Sequence, residues 1–88
     1  MSTDTLKVVT DLKEKYGIDV EHLIRLGLLP ANAAKKWLVK ALYFDWAKDG
    51  NTIEKGGRTY TDIKMELSIE YGISISSIEK LIYRQTGS

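Results

Sequence analysis

The densest run of side chains able to do chemistry is "SISSIEKLIYR", residues 74 to 84. Hydroxyls that donate and accept, one carboxylate that accepts and two cations alternate there with aliphatic residues. The set suits recognition by hydrogen bonds and charge rather than the making of bonds. The single histidine, His22, has no identifiable nucleophile or acid partner. No carboxylate pair with a cleft and no glycine-rich phosphate loop can be assigned, so no catalytic residue and no cofactor is expected. With no cysteine and no aspartate-rich loop, nothing has the ligand spacing of a zinc or calcium site. The chain reads as a binding protein and not an enzyme.

Charge narrows the partner less than the motif does. Net charge is +1, from 13 basic and 12 acidic residues. Nucleic-acid affinity rests mostly on Lys and Arg neutralising phosphates, so this balance is weak support unless the cations share one face. At 88 residues, with 43% apolar and 28% charged residues, one domain with a real core is expected. No apolar run nears the roughly 18 residues that cross a bilayer. The start "MSTDTLKVVTD" lacks the order of a secretion signal, and together with the missing cysteines it points to a cytoplasmic home.

An all-α domain must position the polar run. The first helix is expected from Asp4 to Tyr16, with Val8, Val9, Leu12 and Tyr16 on one face and Gly17 as its stop. A short helix follows over residues 20–26, capped by Asp19 and closed by Gly27. Pro30 suits the opening of a third, residues 31–48, whose wide stripe of Ala34, Trp37, Leu38, Ala41, Leu42 and Phe44 marks a central hub. Lys36, Lys40 and Ala47 mark its thinner exposed edge, and Trp37 and Trp46 read as core rather than as base-stacking platforms. Residues 51–60, with Gly56-Gly57 at the middle, suit either a short β-hairpin or a loop. Helices over 62–71, capped by Thr61, and over 75–85 complete the chain.

"KYGIDVEHLIRL" at residues 15–26 is echoed by "EYGISISSIEKL" at 70–81. Matching Gly17 with Gly72 pairs Leu12 with Leu67, Tyr16 with Tyr71, Ile18 with Ile73, Asp19 with Ser74, Leu23 with Ile78 and Leu26 with Leu81. A tight helical corner needs these types: glycine past the helix end, an apolar residue folding back, and a cap for the next helix. The echo alone therefore carries architecture and no function.

The second copy has more. Ser68 lies four positions before Gly72, while Leu67, Ile73, Ile78 and Leu81 lie five before and one, six and nine after it. In these places residues 61–85 resemble the helix-turn-helix family of DNA-binding proteins. The fit departs from the family in a longer first helix and in Tyr71, a place more often aliphatic. The N-terminal copy fits less well, with Lys13 where the small residue belongs and Asp19 and Glu21 facing where phosphates would be.

The resemblance implies a small transcriptional regulator whose partner is double-stranded DNA, with helix 75–85 in the major groove. Ile75, Ile78, Leu81 and Ile82 would be its buried side, leaving Ser76, Ser77, Glu79, Lys80, Tyr83 and Arg84 outward. Ser74, Ser76 and Ser77 would hydrogen-bond bases or phosphate, Glu79 would accept from a cytosine amino group, Lys80 and Arg84 would meet guanine or phosphate, and the Tyr83 hydroxyl would meet phosphate. Lys55, Arg58 and Lys64 would supply phosphate contacts. So few contacts imply weak monomer binding, and hence a homodimer or protein partner.

Two other readings stand beside this one. The polar run is equally the composition of a solvated helix face, with Ser74 as a cap and Ser76 hydrogen-bonded to Glu79. The fold is also suited to a protein-interaction module of a helical complex, offering a face such as Val39, Tyr43 and Trp46.

Overall fold

The computed structural model describes residues 2–48 and 59–87, with side chains as far as Tyr83. It is all-helical over those residues, with α1 (Thr3–Tyr16), α2 (Glu21–Arg25), α3 (Ala31–Lys48), α4 (Tyr60–Tyr71) and α5 (Ile75–Gly87). Residues 51–58, the body of the expected hairpin or loop, lie outside the described residues, as do Lys55 and Arg58. The chain forms two compact units, Met1–Leu38 and Val39–Ser88, so that α3 contributes its first part to one and its second part to the other.

In the first unit α1 starts one residue before the expected Asp4, because Ser2 serves as its cap, its hydroxyl accepting from the Thr5 N–H at 3.2 Å. Val8, Val9 and Leu12 are buried as their spacing predicts, and Val20 and Ala34 join them. Tyr16 meets Trp37 edge to face at 5.5 Å. Trp37 nevertheless stays 49% exposed, which corrects its assignment to the core: contact with Tyr16 covers only part of a large ring. Gly17 ends α1 at φ 67°, and the Ile18 N–H reaches back to the Leu12 carbonyl at 3.1 Å.

Helix α2 is a single turn and starts later than expected. Val20, not Asp19, is its cap residue, and the Asp19 carboxylate instead accepts from the Glu21 N–H two residues on, at 3.2 Å. No residue of α2 is buried, and its own pair, Arg25 with Glu21 at 2.8 Å, lies at the surface. Helix α3 begins at Ala31 as expected, with the Pro30 carbonyl accepting from the Ala33 and Ala34 N–H groups.

The second unit packs the later part of α3 with α4 and α5. Val39, Leu42 and Tyr43 come from α3, Ile63, Leu67 and Tyr71 from α4, and Ile78 and Ile82 from α5. The α4 set recurs every four residues, the spacing that keeps one helix face against a core. Burial of Val39 and Tyr43 removes two of the three residues expected to face a protein partner, whereas Phe44, expected inside, is 42% exposed. An apolar set running most of the way round α3 left both arrangements open to pattern reasoning, and packing selected the side bearing Val39 and Tyr43.

Helix α4 starts at Tyr60 rather than Asp62, and its cap is Thr59 rather than Thr61. The Thr59 hydroxyl accepts from the Asp62 N–H at 3.0 Å while the Asp62 carboxylate accepts from the Thr59 N–H at 3.2 Å. This reciprocal pair satisfies two backbone donors that would otherwise be unpaired, which Thr61 is placed too late to do. Gly72 ends α4 at φ 62°, close to the value at Gly17. The two corners differ in detail, for the Ile73 N–H goes to the Ser68 carbonyl at 3.3 Å and not to Leu67, the counterpart of Leu12.

Candidate nucleic-acid interface

Helix α5 is set up by the corner that precedes it. The Ser74 hydroxyl accepts from the Ser77 N–H at 3.1 Å and lies 2.8 Å from the Ser77 hydroxyl, so Ser74 is the cap that starts the helix. Fully buried Ile78 and buried Ile82, one turn apart, fix the face on which α5 packs, and Leu81 beside them is half-buried. Ile75, expected on that side, is exposed at the first turn, which corrects its place.

The opposite side gathers four of the expected contact residues. Ser76, Glu79, Lys80 and Tyr83 line one shallow, open hollow. Ser76, Lys80 and Tyr83 are exposed, Glu79 and Ser77 half-buried, and Ser74 exposed but engaged by Ser77. The described side chains do not include Arg84.

Lys64 is placed otherwise than a surface phosphate contact would be. It is only 8% exposed, and its ammonium donates to Glu79 Oε2 at 3.2 Å and to the Tyr83 hydroxyl at 3.1 Å. Glu79 and Tyr83 are one turn apart on α5, so a single lysine on α4 holds two outward residues of the neighbouring helix. Its stem is covered while its head meets partners that reach solvent, the usual way a long cationic side chain is buried. The hydrogen bond that Lys64 donates to Tyr83 raises the Lys64 pKa and Glu79 adds to this, together outweighing the opposing effect of burial. The lysine is held charged.

Tyr43 on α3 interacts electrostatically with Lys64 and Tyr83. Tyr43 is buried, stacks edge-on against Phe44 at 5.3 Å and lies 6.3 Å from Tyr60. Burial pushes its hydroxyl pKa up, Lys64 opposes this, and Tyr83 and Tyr60 add to it. Sequence reasoning missed the inward role of Lys64, although a signal was present. Position 64 falls three before Leu67 and seven before Tyr71, the spacing of a buried helix face.

Among the described residues no group of histidine, cysteine or carboxylate side chains could hold a metal ion, and no helix is long and apolar enough to cross a membrane. In the first unit an apolar hollow is bordered by Leu12, Ile18, Val20, Leu29 and Trp37, with almost no polar surface to orient a ligand. No protein-family model matches the chain, and neither a curated protein nor a solved structure matches it with significance.

Proposed function

We propose that this chain binds double-stranded DNA as a small transcriptional regulator, with α4, the turn at Gly72 and α5 acting as a helix-turn-helix and α5 entering the major groove. The observation that carries the reading is the division of α5 into a buried side, Ile78 and Ile82, and a polar side on which Ser76, Glu79, Lys80 and Tyr83 share one hollow. The Ser74 cap and the positive φ of Gly72 support it, since both present the first turn of α5 at the end of a tight corner. Exposed Ser76 and Lys80 are the residues best placed to meet bases or phosphate, and Arg84 adds a second cation one turn further along.

The test is titration of labelled mixed-sequence duplex at low salt with the full chain and with Lys80→Ala/Arg84→Ala. Binding that weakens in the double variant, with a salt slope shallower by about 0.9 for each lost phosphate contact, supports the assignment. Binding equal in both forms, or none at all, rejects it.

A protein-interaction role is the second reading, favoured by Met65 and Ile69. These residues lie one turn apart on α4 and are 47% and 81% exposed. An apolar ridge of this kind suits a homodimer or a protein partner, and solution mass as a function of concentration, compared with Ile69→Lys, tests it.

A further inference from the structure

We infer that Lys64 is a positioning residue for base recognition: by holding Glu79 Oε2, it presents the other carboxylate oxygen, Oε1, to the exocyclic amino group of a cytosine in the major groove. This rests on the DNA reading of α5 given above. A carboxylate is a problem at such a surface, because phosphates flank the groove and repel it. It becomes useful only when its charge is compensated and its rotamer fixed, so that the hydrogen bond it accepts outweighs repulsion. Lys64 supplies both conditions. It stands 3.2 Å from Glu79 with only 10% of its side chain exposed, whereas 44% of the Glu79 side chain remains accessible. The cation therefore compensates the carboxylate from behind without itself occupying the contact surface.

The backbone under the pair is anchored. Ile63 and Leu67 on either side of Lys64 in α4, and Ile78 next to Glu79 in α5, are fully buried. Tyr83 takes a second hydrogen bond from the same ammonium at 3.1 Å, so the lysine is held from two points on α5. A carboxylate oxygen fixed in this way accepts from the cytosine N4 amino group, the pairing expected of an acidic side chain in the major groove.

Selection from a pool of random duplex 20-mers at low salt tests this, using wild type, Lys64→Met, Lys64→Arg and Glu79→Gln. Circular dichroism and a thermal melt check the fold of each. Wild type is expected to enrich sequences with one position restricted to cytosine by about tenfold, the discrimination of one good base contact. Lys64→Met is expected to lose that preference while retaining the others, and Lys64→Arg to restore it. If Lys64→Met does not fold, Lys64→Gln takes its place and is read in the same way; Glu79→Gln tests the contact itself, and its retention of the same single preference overturns the inference. An unchanged cytosine preference in folded Lys64→Met overturns the positioning role alone. Failure of wild type to enrich any sequence overturns the DNA reading and this inference with it.

Discussion

Lys64 on α4 and Glu79 on α5 are joined at 3.2 Å across the corner made by Gly72. One partner is buried and the other half-exposed, so removing the lysine lets Glu79 rehydrate and leaves no charge stranded. Lys64→Met keeps most of the stem and should cost about 0.5–1 kcal/mol. Lys64→Ala also loses stem packing and should cost more. Urea unfolding of the two variants checks the order, and a methionine variant less stable than the alanine one would contradict it.

The pH dependence has a definite sign. Lys64 is raised above its ordinary 10.5, so its contribution is complete below that value and is lost as pH rises through the folded-state pKa. Tyr43, raised above 10.0 by burial, acts in the same direction, because the folded state holds its proton more tightly. Stability should therefore fall at pH above about 10. The fall should be shallower in Lys64→Met/Tyr43→Phe, read from urea midpoints between about pH 9 and 11; identical slopes would refute the assignment.

At the start of α4 the reciprocal bonds of Thr59 and Asp62 make Thr59→Ala costly, by about 0.5–2 kcal/mol. Thr61→Ala, at an exposed helical position, should change stability by less than about 0.5 kcal/mol. Thermal melts of the pair decide between the two threonines as cap.

In the second core, Leu67→Ala should cost about 2–5 kcal/mol, because the side chain is fully buried. Ile69→Ala, two residues away but 81% exposed, should cost almost nothing, since little packing is lost and alanine is the better helix former. Comparable losses in chemical denaturation would mean that Ile69 is covered in solution, as the protein-partner reading requires.

Gly17 and Gly72 offer a matched comparison, since a Cβ at either would meet nothing within 4 Å. Their positive φ is then the whole cost of Gly→Ala, about 1–2 kcal/mol at each site. Asn, which tolerates this conformation better, should recover part of it. A large difference between the two sites in denaturation midpoints would mean that the corners are not equivalent.

Helix number and type were legible in the sequence because glycines punctuate strongly periodic segments, and α3 spans the expected residues. The starts of α2 and α4 were not, for capping depends on which of two nearby side chains reaches a backbone N–H. Thr59 reached it and Thr61 did not. The face of α3 was obscured by apolar residues on nearly all sides, so Val39 and Tyr43 could be exchanged for Trp37 and Phe44 without breaking any pattern. At the candidate site, exposed Ser76 and Lys80 followed from the helical period. Inward-turned Lys64 shares the period of Leu67 and Tyr71, but lysine is ordinarily a surface residue, and its charge masks that signal.

Helix α3 carries one of the chain's two tryptophans into each compact unit, Trp37 among residues 1–38 and Trp46 among residues 39–88. The protein thus contains two optical probes on one continuous helix, and Trp37→Phe or Trp46→Phe leaves a single emitter in a chosen half. Superimposable fluorescence transitions from the two variants would mean that both halves melt as one cooperative body; separated transitions would show that a single helix can be unravelled from one end while the other still holds.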